Sequence, residues 1–140
     1  MAEVLLMALQ FKDVDQSDQF GDLTITEPRL YGLVCALANF CDTSFNKDLV
    51  VTDVFRPGNS GPHGQGRAVD VRAHYGYWTE TELSRITLWL RRHFPRSDMR
   101  KLEQTIEGWI GPLRHHGENS HEHLHITVEP LNQYREALGV

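Results

Sequence analysis

The clearest hydrophobic pattern of the chain follows the short segment Thr26-Glu27-Pro28. Apolar side chains recur there at steps of three and four residues, which predicts an amphipathic helix whose apolar stripe packs on a sheet. We expect the hydroxyl of Thr26 to cap this helix and Pro28 to lie in its first turn. The stripe consists of Leu30, Leu33, Val34, Leu37, Ala38 and Cys41.

Three short segments rich in β-branched residues predict strands at residues 49–55, 67–73 and 124–128. A second helix is predicted after Thr79, because Thr79 and Glu82 have the spacing of a capping box ahead of an apolar run. We expect the apolar side chains of this helix to face the core, and the helix to end before Pro95.

The remaining segments indicate their secondary structure less clearly. Residues 12–26 are polar and acidic and predict a loop. Residues 98–114 are ambiguous, because they fit a helix while Gln104 to Ile110 could be a strand, and Pro130 is expected to begin a short terminal helix. No repeat or linker divides the chain, so we expect a single domain over residues 1–140. The predicted fold class is α+β, with an antiparallel sheet packed against two or three helices.

The composition is typical of a soluble globular protein, with 40% hydrophobic and 24% charged residues. A net charge of −5 argues against a nucleic-acid partner, because such proteins usually present a strongly basic surface. The basic run within residues 91–101 is expected to be a solvated helical face. No segment reaches the roughly 20 apolar residues of a membrane span, so we expect no membrane insertion.

The first ten residues resemble a signal peptide only faintly, because they include Glu3, lack a basic start and precede no small-residue cleavage site. We therefore expect a cytoplasmic protein without a signal peptide, and a monomer. Cys35 and Cys41 point in different directions around the first predicted helix, which predicts two unpaired thiols in a reducing compartment.

Residues that commonly bind metals occur in two separated clusters. Six residues lie between His63 and Asp70, and His125 ends the later segment Ser120-His121-Glu122-His123-Leu124-His125. Two imidazoles and one carboxylate are sufficient for a catalytic zinc site that leaves one position open for water or substrate. The remaining histidines are expected to be loop or surface residues. They are His74, His93, His115, His116 and His121.

The alternation of side chains along strands predicts which of these residues share a face. If residues 67–73 are extended, Asp70 and Arg72 lie on one face and the neighbouring valines on the other. His123 and His125 share a face in the same way, opposite Leu124 and two further apolar residues. Pairing the two strands would give an apolar core face and a metal-binding face.

His63 would reach this face from the glycine-rich loop that precedes the strand. Gly64 and Gly66 would allow that loop to turn back tightly. Glu122 is a candidate general base, but a regular strand would point it to the core face, opposite His123. It could serve the site only if the strand begins at or after His123, or if a bulge turns its side chain.

The residues in this order resemble the family of zinc D-Ala-D-Ala carboxypeptidases and L-alanyl-D-glutamate peptidases, which includes many phage endolysins. The resemblance rests on the pattern Ser60…His63-x-x-Gly66-Arg67-Ala68-Val69-Asp70, followed by Glu122-x-x-His125, with an upstream strand that ends in Arg56. It covers residues 27–128. The family is related to the hedgehog signalling-domain fold, and each half of the motif is weak without the other.

Carried over residue by residue, the resemblance implies that His63, Asp70 and His125 bind Zn²⁺. It implies that Glu122 is the general base and that Arg56 contacts the substrate carbonyl or the developing oxyanion. This chain departs from the family at three positions. Gly61 stands where the family often has serine, Leu124 stands where it often has tryptophan, and the additional His123 either shares the role of base or replaces Glu122 in it.

The resemblance further implies a zinc metallopeptidase that hydrolyses peptide bonds in the peptidoglycan stem peptide. The bond would be L-Ala-D-Glu, cut by an endopeptidase, or D-Ala-D-Ala, cut by a carboxypeptidase. A phage or prophage endolysin that degrades the bacterial cell wall after release would account for the absence of a signal peptide. The alternative is a non-catalytic, zinc-stabilised binding module of the hedgehog-like fold. A non-haem iron site is disfavoured, because the first two ligands of such sites are close in sequence.

Overall fold

The structure is a computed structural model that describes residues 8–55, 58, 61–73, 76–105 and 120–139, with the backbone alone at 101–105, 120–122, 134 and 137. Its sheet has five strands in the order β1-β2-β3-β5-β4. The strands are β1 (Leu9–Phe11), β2 (Leu49–Asp53), β3 (Ala68–Arg72), β4 (Ser97–Thr105) and β5 (Ser120–Val128).

The predicted α+β class is confirmed, but the sheet is mixed rather than purely antiparallel. β1 pairs with β2 in parallel, whereas the other three pairings are antiparallel. A parallel pair requires a long crossover connection, and two helices lie between β1 and β2 in the chain. The antiparallel part of the sheet is the part that carries the predicted ligands.

Four α-helices accompany the sheet in the described parts of the chain. They are α1 (Val14–Gly21), α2 (Pro28–Phe45), α3 (Glu80–His93) and α4 (Leu131–Leu138), and a 3-10 turn spans Pro62–Gln65. All six residues of the predicted stripe on α2 are completely buried in the core. The burial of this stripe against the sheet is the main contribution of α2 to the hydrophobic core.

The predicted cap of α2 is wrong. The N-cap residue is Glu27, and Thr26 is fully buried and donates its hydroxyl to the carbonyl of Gln19 at 2.7 Å. Thr26 therefore connects the start of α2 to the preceding helix.

The predicted loop at residues 12–26 is also wrong, because α1 occupies its middle. Asp13 caps this helix by accepting a hydrogen bond from the backbone of Gln16 at 3.0 Å. Phe20 is the buried side chain of α1 and stacks on Tyr31 with ring centroids 4.8 Å apart. One capping carboxylate and one buried aromatic residue thus hold a helix whose other positions are mostly polar.

The capping box of α3 is confirmed, with reciprocal hydrogen bonds between Thr79 and Glu82. Lys47, just after α2, forms an ion pair with Glu82 at 2.6 Å and joins the two helices. Ile86 and Leu90 point into the core as predicted.

The helical interpretation of residues 98–114 is wrong as far as Thr105, because a strand occupies Ser97–Thr105. The alternative strand at 104–110 lies outside the described residues from 106 onward. β4 pairs with β5 continuously, from Ser97 opposite Val128 to Thr105 opposite Ser120. β5 consequently begins four residues before the predicted start at Leu124.

Two further expectations concern the pairing of the cysteines and the presence of a membrane-spanning helix. Cys35 and Cys41 are unpaired, as predicted. Among the described residues, no helix combines the length and the apolar character that a membrane crossing requires.

Candidate metal centre

The three predicted ligands His63, Asp70 and His125 come together on one face of the sheet. Nε2 of His63 lies 3.2 Å from Oδ1 of Asp70, and Nδ1 of His125 lies 3.0 Å from the same oxygen. One possible ligand atom from each side chain lies within 4.8 Å of the other two. The group could therefore bind a metal ion.

The register of β3 and β5 brings Asp70 and His125 together. The two residues are directly opposite in this antiparallel pair, and Arg72 is opposite His123. Opposite residues of antiparallel strands share a face, so the prediction that Asp70 and His125 lie on one face is confirmed. On the opposite face of β5, Leu124 and Ile126 are completely buried in the core.

His63 reaches the site from the 3-10 turn, whose end depends on Gly66. Gly66 has a φ of 67°, and a Cβ atom there would lie 1.8 Å from the carbonyl oxygen of Ile25. The carbonyl of Gly66 also accepts a hydrogen bond from the backbone of Glu27 at 2.9 Å. Only glycine combines this left-handed conformation with so close an approach to another backbone.

The backbone after β2 orients the His63 ring. Nδ1 of His63 lies 2.7 Å from the carbonyl oxygen of Val54. Because a carbonyl oxygen only accepts, Nδ1 carries a proton, and Nε2 is the ring nitrogen that faces Asp70. A second interaction of this kind is common for histidines that bind metals.

Helix α1 supports this arrangement from behind. The side-chain oxygen of Gln16 accepts a hydrogen bond from the backbone of Val54 at 2.8 Å, and that of Gln19 accepts one from Phe55 at 3.3 Å. A helix that the sequence did not predict therefore positions the carbonyl that orients His63.

β2 contains a one-residue irregularity beside the site. Val51 is opposite Val71, but Asp53 is opposite Asp70, so β2 has one more residue than β3 in this interval. The hydroxyl of Thr52 donates to the carbonyl of Asp70 at 3.3 Å. Such bulges redirect the chain and often occur next to functional sites.

Asp70 is a buried carboxylate, with an exposed fraction of only 4%. Burial by itself raises the pKa of Asp70, but the hydrogen bonds from His125 and His63 and the nearby charges of His63 and His123 outweigh it. They hold the pKa of Asp70 well below its usual range, so the carboxylate stays ionised. A lone pair on either facing nitrogen would repel this oxygen, so a proton or a metal ion must lie between them.

The predicted catalytic residues are only partly described. Nε2 of His123 lies 3.8 Å from Oδ1 of Asp70, on the same face but outside the ligand group. Glu122 lies within β5, opposite Glu103 in a pairing without a shift of register, so the strand begins before His123 and has no bulge there. The side chain of Glu122 and all of Arg56 lie outside the described residues.

Two further residues at the site have no role in the sequence-based prediction. The Val54 carbonyl has no signal in the sequence, because any residue could supply it. Alternation predicts Arg72 on the face of Asp70, but that position alone assigns it no role. The buried Trp78 donates its indole N–H to the carbonyl of Arg72 at 3.0 Å.

Comparison of the chain with protein-family models, with curated proteins and with solved structures finds no match. A function for this site therefore has to be argued from the motif residues and their geometry.

Proposed function

We propose that this protein is a zinc metallopeptidase that hydrolyses a peptide bond in the peptidoglycan stem peptide. The observation that carries the proposal is the convergence of His63 and His125 on one oxygen of the buried Asp70 carboxylate. The resemblance of the two motif halves to the peptidase family supplies the substrate class.

The donor set suits zinc better than the other common divalent ions. Mg²⁺ and Ca²⁺ prefer oxygen ligands, whereas zinc combines imidazole nitrogen with carboxylate oxygen. Tetrahedral zinc with bonds of about 2.1 Å separates its ligand atoms by about 3.4 Å. The two nitrogen-to-oxygen distances at Asp70, 3.2 Å and 3.0 Å, are close to this separation.

Zinc held by three protein side chains supplies a Lewis acid and activates water near neutral pH. The protein has to add a group that accepts a proton from the attacking water and returns it to the leaving amine. We assign this task to His123, because its imidazole is on the metal-binding face and its side chain is 15% exposed. It is close enough to the ligands to act there without being one of them.

The catalytic roles of Glu122 and Arg56 are proposed from the family resemblance. Glu122 is the competing candidate for general base, although β5 has neither the late start nor the bulge that this role requires. Arg56 would bind the substrate carbonyl oxygen as charge develops on it. A donor of that kind contributes roughly 3–4 kcal/mol to stabilisation of the transition state in comparable sites.

The direct test is to incubate the zinc-loaded protein with purified peptidoglycan and to identify the released ends by mass spectrometry. New L-Ala carboxyl ends would indicate an endopeptidase, and loss of terminal D-Ala a carboxypeptidase. Chelation should abolish cleavage, and added zinc should restore it. If the zinc-bound protein cleaves neither bond, the peptidase proposal is wrong and the non-catalytic, zinc-stabilised binding module replaces it.

The two candidate bases can be separated by a pair of matched variants. His123→Gln and Glu122→Gln each remove a titrating group and keep a polar side chain of similar size. Loss of general-base catalysis lowers turnover by about 10²–10⁴-fold. We expect this loss in His123→Gln with zinc still bound and a smaller effect in Glu122→Gln; the reverse order would assign the base to Glu122.

The biological setting that we propose is that of an endolysin, made in the host cytoplasm and acting on the cell wall after release. Bacteria that produce the protein should keep growing until their inner membrane is permeabilised and should then lyse. Lysis should be lost in a variant that cannot bind the metal.

A further inference from the structure

Arg72, the last residue of β3, carries a buried side-chain nitrogen for which the described residues offer no acceptor. Its Nε atom is shielded from solvent and has no hydrogen-bond partner among them. Among the described ion pairs, none joins the Arg72 guanidinium to a carboxylate. An unpartnered buried donor is rare and costly in native proteins, so it suggests a group that binds there during function.

The position of Arg72 connects this donor to the metal centre. Arg72 follows Asp70 by two residues on β3, a spacing of about 7 Å along a strand. It is also directly opposite His123 on β5. Arg72, Asp70, His123 and His125 therefore share one face of the sheet, with Arg72 at the end of β3.

The backbone of Arg72 is held firmly. Its carbonyl accepts a hydrogen bond from the indole of Trp78 at 3.0 Å, and Trp78 is buried in the core. A donor whose backbone is anchored in this way loses little freedom when it binds a ligand, which favours recognition of a specific group.

We propose that Arg72 binds the α-carboxylate of the residue on the leaving side of the scissile bond. This inference rests on the proposed function, and it covers both candidate bonds. In D-Ala-D-Ala the group is the terminal carboxylate. In L-Ala-D-Glu it is the free α-carboxylate of D-Glu, whose side chain continues the stem. In both cases three bonds separate the carboxylate carbon from the scissile carbonyl carbon.

The chemistry of arginine suits this task. A guanidinium presents its N–H groups in a planar fork that matches a carboxylate, and such charge-assisted hydrogen bonds are strong when water is excluded. A carboxamide in the same position would lose the charge and one acceptor. The site should therefore discriminate between an α-carboxylate and an α-carboxamide, whichever of the two peptides is the substrate.

Equilibrium binding tests this without turnover. The ligands are phosphinate isosteres of D-Ala-D-Ala and of L-Ala-γ-D-Glu, each with the α-carboxylate or with the α-carboxamide. Their affinities for the zinc-loaded protein are measured by calorimetry. We expect the wild-type protein to prefer the acid of at least one pair by about ten- to hundredfold. The peptide whose acid form binds more tightly than its amide identifies which of the two substrates supplies the carboxylate.

Three variants define the role of Arg72. Arg72→Gln should abolish the acid preference and leave the affinity for the amide and for zinc unchanged. Arg72→Lys should retain part of the preference, because it keeps the charge without the fork. Arg100→Gln is the matched control. Arg100 is opposite His125 on β4 but is exposed and paired with Asp98 at 2.8 Å, so its removal should not alter the preference.

The outcomes separate the two proposals. Equal binding of acid and amide by the wild-type protein, no binding of either, or an undiminished preference in Arg72→Gln would overturn the role of Arg72, even if peptidoglycan is cleaved. Conversely, an acid preference that depends on Arg72 supports carboxylate recognition even if no peptidoglycan bond is cut, in which case only the peptidase activity is refuted.

Discussion

Asp70 and His125 are directly opposite residues of β3 and β5, and Nδ1 of His125 lies 3.0 Å from Oδ1 of Asp70. The register of two strands thus joins ligands that are far apart in the sequence. A slip of one residue would turn His125 to the core face and Leu124 to the metal face. Because Leu124 and Ile126 are completely buried, the core stabilises the register on which the candidate metal centre depends.

Asp70→Asn should weaken zinc binding more than about a hundredfold. The amide keeps the size of the side chain but removes the charge on which both imidazoles converge, and loss of a ligand costs more than the 10–100-fold typical of supporting residues. Competition with a chromophoric chelator measures the affinity. Asp98→Asn is the control, since Asp98 is exposed and pairs with Arg100. Unchanged zinc affinity in Asp70→Asn would remove Asp70 from the site.

Gly66→Ala should destabilise the protein much more than Gly76→Ala. Both glycines have a positive φ, 67° and 66°, but an added Cβ has free space at Gly76 and meets the Ile25 carbonyl at Gly66. The conformation costs roughly 1–2 kcal/mol in each variant. Overpacking should cost Gly66→Ala about 1–3 kcal/mol more. Urea unfolding measures both, and equal losses would show that the turn can yield without strain.

Gln16→Ala should lower zinc affinity by about tenfold, although Gln16 contacts no ligand. Its side chain accepts a hydrogen bond from Val54, and the Val54 carbonyl orients His63. Asp18→Ala, an exposed change on the same helix, should leave the affinity unchanged. The same titration with a competing chelator applies, and similar affinities in the two variants would show that α1 does not support the site.

Cys41 should be unreactive toward Ellman's reagent at pH 8 in the native protein. Burial raises the pKa of the Cys41 thiol to about 12, the charge of Glu82 adds to this effect, and that of Lys47 opposes it. Only the thiolate attacks the reagent, so modification should require unfolding. Cys41→Ala identifies the signal of Cys35. Rapid modification of Cys41 in the native protein would contradict the burial of this side chain.

The same shift affects stability at high pH. Because folding raises the pKa of Cys41, its contribution to the free energy of unfolding is complete below the ordinary thiol pKa of 9.0 and is lost as the pH rises toward about 12. The stability of Cys41→Ala should therefore fall less than that of the wild-type protein over this interval. A parallel decline would show that Cys41 has an ordinary pKa in the folded state.

Much of the fold could be predicted wherever one physical signal dominates. The stripe on α2 repeats at helical spacing and is buried in full, and the Thr79–Glu82 pair is a local capping interaction. Such features depend on neighbours in the sequence. The helix α1 was missed because its residues are mostly polar and it depends on one cap and on the packing of Phe20.

The start of β5 and the strand β4 could not be predicted, for another reason. β4 is defined by its pairing with β5, an interaction between segments that no periodicity in residues 98–105 records. The metal-binding face could be predicted, because alternation along β3 and β5 follows from strand geometry. The support of His63 by Val54 could not, because a backbone carbonyl leaves no mark in the sequence.

The most direct test of the metal centre is the anomalous diffraction of a crystal of the zinc-loaded protein, recorded just above the zinc absorption edge. We expect one strong peak within bonding distance of Nε2 of His63, Oδ1 of Asp70 and Nδ1 of His125. A peak held by other histidines, such as His115 or His121, or no peak near Asp70, would contradict the assignment of the site.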